Sequence, residues 1–215
     1  MPIDLDKLWV FRIIHIDNLK DDLTNGLFCK TANKTSASYV SIGSKEVIGK
    51  RDTKVVKCHP DYVVNDYVPF YFSTRTPMLF NIKTGHGVPS YPQKDIVYLC
   101  CRFKELACDD FNWCYTNGNA AAAITKFFSK FGDINTDIDW HSINTTDFRD
   151  ENADGDEDRI RKKHAEFLVR TYVPAEYIRK IVVLNQEVKE NVEKILTQLG
   201  SNIDILVNPN DKFYF

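Results

Sequence analysis

Residues 66–79 read DYVPFYFSTRTPML and join an aromatic run to a short polar and basic stretch. The first part, residues 67–72, is rich in the aromatic and β-branched side chains that favour a strand. Pro69 cannot donate a hydrogen bond to a neighbouring strand, so we expect an edge strand or a β-bulge at this point. The segment therefore predicts one strand of a sheet, with Arg75 shortly after its end.

Short apolar, β-branched runs predict further strands on both sides of this segment. They cover residues 8–16, 96–103, 112–116, 166–173, 178–184 and 203–207. Helices are predicted at 18–25, 44–50 and 187–199, a brief helix or turn at 159–165, and a further helix in an alanine-rich stretch that opens at Asn117 or Asn119 and closes near Gly132. Residues 133–158 lack periodicity and are expected to form a long loop, a kind of segment that is often functional. Because no repeat or linker divides the chain, we predict a single α+β domain over residues 1–215, with central mixed sheets flanked by short helices.

The composition limits which partners the chain can have. With 28 Lys and Arg against 30 Asp and Glu, the net charge is −2, so a nucleic-acid ligand needs a local basic groove. The six cysteines include no CxxC pair, which favours reduced thiols in a cytoplasmic protein over a zinc site. No apolar run approaches the ~20 residues of a membrane span, and residues 1–7 do not resemble a signal peptide. We expect a cytoplasmic protein that contacts no membrane.

One acidic segment matches a calcium-binding loop only in part. Residues 150–158 carry Asp or Asn at alternate positions, as the start of an EF-hand loop does. The twelfth position is Arg161, where such a loop needs a bidentate glutamate. We expect a solvated acidic loop and no bound metal.

Two basic runs are candidates for contact with phosphate groups. One contains Lys45, Lys50, Arg51, Lys54 and Lys57, and the other contains Arg159, Arg161, Lys162 and Lys163. A solvated surface is the alternative for either run. The sequence has no GxGxxG, GxxxxGK or GxSxG motif, which disfavours the common dinucleotide, nucleoside triphosphate and serine hydrolase folds.

A carboxylate opens a strongly apolar strand late in the chain. Glu166 precedes Phe-Leu-Val in the segment HAEFLV, residues 164–169. A carboxylate in such surroundings is costly to desolvate and is hard to explain by folding alone, which makes Glu166 a candidate for chemistry. A strand-edge glutamate without a function is the alternative. A second polar cluster, HIDN at residues 15–18, ends the first predicted strand.

Several of these segments together resemble the DarT family, bacterial toxins that ADP-ribosylate thymidine bases in single-stranded DNA. The most specific segment is DYVPFYFSTRTPML, and it is supported by HIDN at 15–18, SIG at 41–43, TNGNA at 116–120 and AEFLV at 165–169. These segments follow one another in the family's order, from residue 8 to about residue 207. Thr76 stands where the family usually has Ser, TNGNA replaces a TDG-type turn, and residues 55–64 differ from the usual glycine-containing linker. These departures concern the choice of substrate more than the chemistry.

The resemblance implies a fold, a reaction and two catalytic residues. The fold would be that of the ADP-ribosyltransferases, with NAD as the substrate and with nicotinamide released. Glu166 would hydrogen-bond the nicotinamide ribose and stabilise an oxocarbenium-like state. Arg51 would be the second catalytic residue, close to the acceptor base.

The same resemblance implies residues that bind NAD. His15, Asp17 and Asn18 would hold NAD at the end of the first strand, and Tyr71 would pack beside the nicotinamide. Arg75 would meet a phosphate of NAD or of DNA.

Contacts with single-stranded DNA are also implied. The strand would follow a groove formed by Lys50, Lys54, Arg75, Asn119 and Arg159. The loop 133–158 would choose the acceptor. A macrodomain antitoxin of the DarG type, which reverses the modification, would be the protein partner.

One step of the implied reaction is physically difficult. Thymine N3 must lose a proton to become a nucleophile, but an arginine side chain stays protonated in proteins. We expect Arg51 to stabilise the thymine anion as a cation, while Glu166 or water relays the proton.

Three other functions are open on the sequence alone. The same NAD chemistry could act on guanine, on RNA or on a protein side chain. The chain could bind single-stranded nucleic acid without catalysis. It could also be a structural α+β domain in which Glu166 has no chemical role.

Overall fold

The computed structural model describes residues 3–130 and 133–215, which are built around a central sheet of eight strands. These strands are β1 (Trp9–His15), β5 (Tyr67–Tyr71), β6 (Ile96–Arg102), β7 (Trp113–Thr116), β8 (Phe127–Phe128), β9 (Glu166–Arg170), β11 (Ile178–Val183) and β12 (Asp204–Val207). Their order across the sheet is β12-β11-β6-β1-β5-β9-β7-β8. β11 and β12 run parallel, whereas β1, β5, β6, β7 and β9 pair antiparallel with their neighbours. The predicted mixed sheet is confirmed.

Two small two-stranded sheets and eight α-helices lie around this sheet in the described part of the chain. The small sheets pair β2 (Leu27–Phe28) with β10 (Tyr172–Val173), and β3 (Val55–Val56) with β4 (His59–Val63). The helices are α1 (Leu19–Asn25), α2 (Lys45–Arg51), α3 (Pro77–Thr84), α4 (Phe103–Leu106), α5 (Ile134–Asp137), α6 (Trp140–Asn144), α7 (Arg159–Lys163) and α8 (Gln186–Leu199). Within residues 3–130 and 133–215, no helix is both long and apolar enough to cross a membrane.

Local sequence explains where the main helices begin. The side chains of Ser44, Thr76 and Asn185 each accept a hydrogen bond from a backbone N–H in the first turn of α2, α3 and α8. Such caps satisfy donors that have no partner within the helix. α8 then buries Val188 and Val192 in the main core, as its amphipathic pattern predicts.

The strand that begins at Glu166 separates the main core from the opposite face of the sheet. Phe167 and Val169 belong to the main core, whereas Leu168 belongs to a smaller cluster on the other face. Because side chains alternate along a strand, Glu166 lies on the same face as Leu168. This alternation directs the carboxylate away from the main core.

Pro69 lies in the middle of the sheet, so the prediction of an edge strand is wrong. β5 sits between β1 and β9. The ladder between β1 and β5 contains the single pair Phe11 and Tyr71, so little backbone pairing is lost at the proline. The Pro69 carbonyl instead accepts a hydrogen bond from Nη1 of Arg12 at 3.2 Å.

The prediction of a helix in the alanine-rich stretch after Asn119 is also wrong. Residues 120–124 form turns, and β8 follows and pairs with β7. The Asn119 side chain accepts from the Ala121 N–H at 2.9 Å, and the Thr125 hydroxyl donates to the Asn119 carbonyl at 2.7 Å. Such side-chain bonds to the backbone compete with a helix despite the alanine run. The predicted end near Gly132 lies outside the described residues.

The long loop predicted at 133–158 contains the short helices α5 and α6, while residues 145–158 have neither helix nor strand. The strand predicted at 166–173 is divided into β9 and β10 by Thr171, whose φ of 65° interrupts the extended chain. The other predicted strands and helices occur within a few residues of their expected bounds.

Candidate active site

Glu166, the first residue of β9, forms a buried ion pair with Arg51. Its side chain is 2% exposed, and Nη1 of Arg51 lies 2.9 Å from Oε2 and 3.1 Å from Oε1. The Ala120 N–H donates to Oε1 at 2.9 Å. A buried carboxylate is tolerated when it is paired and hydrogen-bonded in this way.

The backbone of Glu166 is held by the turn that follows β7. The Glu166 N–H donates to the Thr116 hydroxyl at 2.9 Å, and this hydroxyl donates to the Gly118 carbonyl at 2.7 Å. A Cβ at Gly118 would overlap the side chain of Arg161, so the turn passes closely over α7. The TNGNA segment therefore fixes the position of the carboxylate.

Arg51 ends α2, where the helix dipole favours a positive charge. Its side chain is 12% exposed. The second terminal nitrogen, Nη2, is buried and has no hydrogen-bond partner among the described residues. Since a buried donor without a partner is costly, this nitrogen has a hydrogen-bonding capacity that no described residue uses.

A cavity of about 560 Å³ adjoins this ion pair. This volume lies within the range of small-molecule sites, roughly 300–1,000 Å³. Its walls come from β1, β2, β5, β9, α2 and α3 and from the loops that connect them, including those that carry Asn119 and His164. The polar lining residues include Arg12, Tyr39, Ser41, Ser44, Arg51, Asn65, Tyr71, Asn81, His86, Asn119, His164 and Glu166.

Tyr71 faces Glu166 across the β5–β9 pair and lines the same cavity. Burial raises the pKa of the Tyr71 hydroxyl, and the charge of Glu166 raises it further. The hydroxyl therefore stays protonated at neutral pH and can donate a hydrogen bond to a ligand. The structure brings Tyr71, Arg51 and Glu166 together, as the resemblance implied.

The four residues of the HIDN cluster, residues 15–18, are not among the described residues that line the cavity. Nδ1 of His15 accepts a hydrogen bond from the Asp17 N–H at 3.3 Å, and the side chain of Asp17 is largely exposed. Asn18 donates to the Val40 carbonyl and accepts from the Val40 N–H, both at 2.8 Å. Asn18 thus holds the loop that brings Tyr39 and Ser41 to the cavity wall.

Arg75 is turned towards the C-terminal segment. Its Nε donates to the Tyr214 carbonyl at 2.6 Å, and its Nη2 donates to the Asp211 carbonyl. The guanidinium also lies 5.9 Å from the centre of the Phe215 ring. These contacts hold the Arg75 guanidinium against the C-terminal segment. The sequence led us to expect Arg75 near NAD or DNA, but the structure does not bring it to the cavity.

The predicted DNA-binding residues are spread over the surface and the interior. Asn119 lines the cavity. Lys50 is exposed on α2 and pairs with Glu46 at 2.7 Å, and Lys54 donates to the Ala123 carbonyl at 3.4 Å. Arg159 is buried and pairs with Asp154 and Asp156. Since its charge is already compensated there, the structure does not place Arg159 on a phosphate path.

The rest of the second basic run is also paired within the protein. Arg161 bonds Asp158, and Lys162 bonds Asp156 at 2.8 Å. Lys163 donates to the carbonyls of Ile143 and Thr145 at 2.9 and 2.6 Å. This basic run therefore holds the segment 143–158 in place. The sequence pattern alone did not reveal that acidic residues of the same segment pair with Arg159, Arg161 and Lys162.

Two lining residues, Arg12 and His164, were not singled out by sequence reasoning. Arg12 lies in the middle of an apolar strand, an expensive position for a charge. His164 lies two residues before Glu166. Arg12 was visible as a polar side chain in an apolar segment, which is the signal that identified Glu166, whereas His164 follows the basic residues 161–163 and gave no such signal.

Cys58, His59 and Cys114 have possible metal-ligand atoms within 4.8 Å of one another. The ring nitrogen Nδ1 of His59 lies 2.8 Å from the Tyr67 hydroxyl. A hydrogen bond with Cys114 holds the pKa of the Cys58 thiol below its ordinary value. His59 is thus paired with Tyr67, and Cys58 with Cys114.

Comparison with known proteins assigns this arrangement to a family. Residues 11–215 match a family model described as ssDNA thymidine ADP-ribosyltransferase, DarT. A DNA ADP-ribosyl transferase of Escherichia coli O127:H6 (strain E2348/69 / EPEC) is 30% identical over 210 residues, which are 97% of this chain and 94% of that protein. A DNA ADP-ribosyl transferase of Thermus sp. (strain 2.9) is 32% identical over 189 residues, 88% of this chain and 87% of that protein.

Solved structures are similar over the same length. Thermus sp. 2.9 DarT in complex with ADP-ribosylated ssDNA has a TM-score of 0.87 and 26% identity, and 100% of both chains is covered. Thermus sp. 2.9 DarT in complex with NAD⁺ has a TM-score of 0.82 and 26% identity, with 97% of this chain and 98% of that chain covered.

These matches define the class of the protein as a transferase that places ADP-ribose on DNA. Within that class, the chain belongs to the DarT family of ssDNA thymidine ADP-ribosyltransferases. The family resemblance found in the sequence and the predicted α+β fold are both confirmed.

Proposed function

We propose that the chain transfers ADP-ribose from NAD to thymidine in single-stranded DNA through Glu166 and Arg51, with residues 1–215 acting as one catalytic domain. The observation that carries the proposal is the buried Glu166–Arg51 pair at the wall of a cavity of about 560 Å³. NAD is the donor, as in the NAD⁺ complex of Thermus sp. 2.9 DarT.

Glu166 acts on the donor side of the reaction. As the bond between nicotinamide and ribose breaks, positive charge develops on the ribose. A carboxylate fixed in advance by Ala120 and Arg51 stabilises that charge without having to reorient. Losing such a group typically lowers the rate by about 10²–10³.

Arg51 acts on the acceptor side. Its Nη1 holds Glu166, while Nη2 remains available among the described contacts. A guanidinium that stays protonated stabilises the anion that forms on thymine when N3 loses its proton. One residue thereby couples the position of the carboxylate to the position of the acceptor base.

Single-stranded DNA fits this site better than a duplex does. A base must leave the stack before its ring can enter a cavity of this kind. Asn119 stands at the cavity, and Lys50 and Lys54 lie on or after α2, where they meet the phosphates of an approaching strand. Tyr71 packs beside the nicotinamide, and Asn18 acts on NAD binding through the loop that carries Tyr39.

A macrodomain partner that reverses the modification follows from one of the relatives. In Thermosipho africanus (strain H17ap60334), one protein is a fusion of a DNA ADP-ribosyl transferase with a DNA ADP-ribosyl glycohydrolase, and it is 26% identical over 207 residues. We propose that this chain is a toxin held in check by a DarG-like protein. Both substrates and the reduced cysteines fit a cytoplasmic location.

The test is incubation of the protein with NAD and single-stranded oligonucleotides of mixed sequence, followed by digestion to nucleosides and mass spectrometry. We expect thymidine that carries one ADP-ribose, and labelling that falls as salt rises. A Glu166→Ala variant is the control, and its labelling rate should be lower by about 10²–10³. ADP-ribose on guanosine, RNA or protein alone would contradict the choice of acceptor, and equal labelling of duplex DNA would contradict the requirement for a single strand.

A further inference from the structure

The proposed reaction needs a group that takes the N3 proton of thymine. Arg51 is a poor proton acceptor because its guanidinium stays protonated. The Oε1 and Oε2 atoms of Glu166 accept hydrogen bonds from Arg51 and Ala120. The Tyr71 hydroxyl is a donor, since its pKa lies above the ordinary value. Arg51 and Tyr71 therefore cannot receive the proton, and protonating Glu166 would remove the charge that stabilises the ribose in the proposed reaction.

His164 lines the same cavity as Glu166 and Arg51 and has a defined tautomer. Its Nδ1 lies 2.9 Å from the Ile160 carbonyl. A carbonyl can only accept, so Nδ1 carries the hydrogen and Nε2 carries the lone pair. The backbone of α7 thus keeps one ring nitrogen ready to accept a proton.

The surroundings of His164 keep the imidazole neutral. Burial lowers the pKa of His164 below its ordinary value of 6.5, and Lys163 on α7 lowers it further, while the Ile160 bond and Glu166 on β9 oppose the shift. The ring of Tyr71 on β5 lies 6.1 Å from the imidazole, centre to centre. Arg51 on α2 lines the same cavity and adds a positive charge. At neutral pH, Nε2 is therefore unprotonated.

We propose that Nε2 of His164 is the general base that removes the N3 proton of thymine, an inference that rests on the proposed function. The proton passes from N3 to Nε2, and the N3 electron pair forms a bond to C1′ of the nicotinamide ribose. The bond from C1′ to nicotinamide breaks, and its electron pair neutralises the pyridinium nitrogen. Arg51 stabilises the thymine anion, and Glu166 stabilises the ribose cation.

The test compares His164→Gln with the unchanged protein in two assays, ADP-ribosyl transfer to a thymidine oligonucleotide and release of nicotinamide by water without DNA. Glutamine retains a polar side chain but is not a base. We expect transfer to fall by about 10²–10⁴, the usual contribution of a general base, while release of nicotinamide and KM for NAD change little. His59→Gln, which changes a histidine outside the catalytic residues, is the matched control.

The pH profile and the acidity of the acceptor separate a base from a structural residue. Transfer by the unchanged protein should fall as pH drops through the pKa of His164, below 6.5, because the protonated ring has no lone pair. His164→Gln should lack this acidic limb. An oligonucleotide containing 5-fluorouracil, whose N3 proton is more acidic, should recover part of the lost rate.

Two results would overturn the role of His164. One is transfer by His164→Gln at the unchanged rate. The other is an equal loss of transfer and of nicotinamide release in a variant whose circular dichroism is native. Either result would leave the proposed function standing, whereas failure of the unchanged protein to transfer ADP-ribose from NAD to thymidine would remove the proposed function itself.

Discussion

The chemistry of the site depends on a few charged side chains in an apolar part of the fold. Glu166 and Arg51 come from segments 115 residues apart in the sequence, yet they meet at 2.9 Å. Each would be costly to bury alone, and the pair is stable because each compensates the other. A substitution at either position therefore changes both chemistry and local stability.

Arg51→Lys tests whether Arg51 acts through its charge. A single nitrogen, Nη1, contacts both carboxylate oxygens, so an ammonium group can replace that contact. We expect Arg51→Lys to transfer ADP-ribose at least about tenfold faster than Arg51→Ala, which corresponds to about 1.4 kcal/mol in the barrier. Single-turnover rates would measure this difference. If the lysine variant is no faster than the alanine variant, the charge of Arg51 is not sufficient and the two-nitrogen geometry of the guanidinium is required.

At the scale of elements, loops anchored to the sheet complete the cavity. The loop before α2 is attached to the end of β1 through the two hydrogen bonds between Asn18 and Val40. The segment 143–158 is attached through Lys163, whose burial lowers its pKa to about 8. These anchors explain why polar side chains are buried outside the cavity.

Asn18→Ala should weaken NAD binding through the loop. The change leaves the backbone N–H and carbonyl of Val40 without these partners, at a cost of about 1–3 kcal/mol. We expect a higher KM for NAD, a smaller effect on kcat and a lower Tm. Asn25→Ala, which removes a surface bond to Asp21, is the control. An unchanged KM would show that the loop does not depend on Asn18.

The sequence predicted most elements because their signals are local. The apolar runs of β1, β6 and β11 and the amphipathic pattern of α8 decide their structure without help from distant residues. The helix prediction for the alanine run after Asn119 was wrong because β8 is stabilised by pairing with β7, which is a tertiary effect. The edge-strand prediction at Pro69 was wrong because a central strand can contain this proline when its ladder with β1 is as short as a single residue pair.

The site was predictable in part for the same reason. Glu166 stood out as a carboxylate in an apolar strand, and the resemblance added Arg51 and Tyr71. The positions of Arg75 and Arg159 could not be inferred, since their partners, the Tyr214 carbonyl and Asp154, are known only once the chain is folded.

The stability of the whole molecule should depend on the protonation of one acid that does not line the cavity. Asp22 on α1 is 8% exposed, and its Oδ2 has no hydrogen-bond partner within residues 3–130 and 133–215. Burial raises the pKa of Asp22 from 3.8 to about 6, although the charge of Arg12 opposes the shift. The folded state therefore binds this proton more tightly than the unfolded state does, and stability falls as pH rises from about 4 to above 6.

Asp22→Asn should remove this pH dependence. We expect a gain of about 1–3 kcal/mol in the free energy of unfolding at pH 7.5 and little change at pH 4, because the native acid is then protonated. Urea unfolding at the two pH values would measure the gain. Asp109→Asn, at an exposed position, is the control. An equal effect of Asp22→Asn at both pH values would contradict the raised pKa.

The most direct test of the central claim is the single-turnover rate of ADP-ribosyl transfer by Glu166→Gln, measured beside its affinity for NAD. Glutamine keeps the shape of the side chain and removes its charge. We predict a rate lower by about 10²–10³ with NAD affinity nearly unchanged, because the carboxylate acts on the charge that develops as nicotinamide leaves. A rate equal to that of the unchanged protein would show that the carboxylate at position 166 does not carry the reaction.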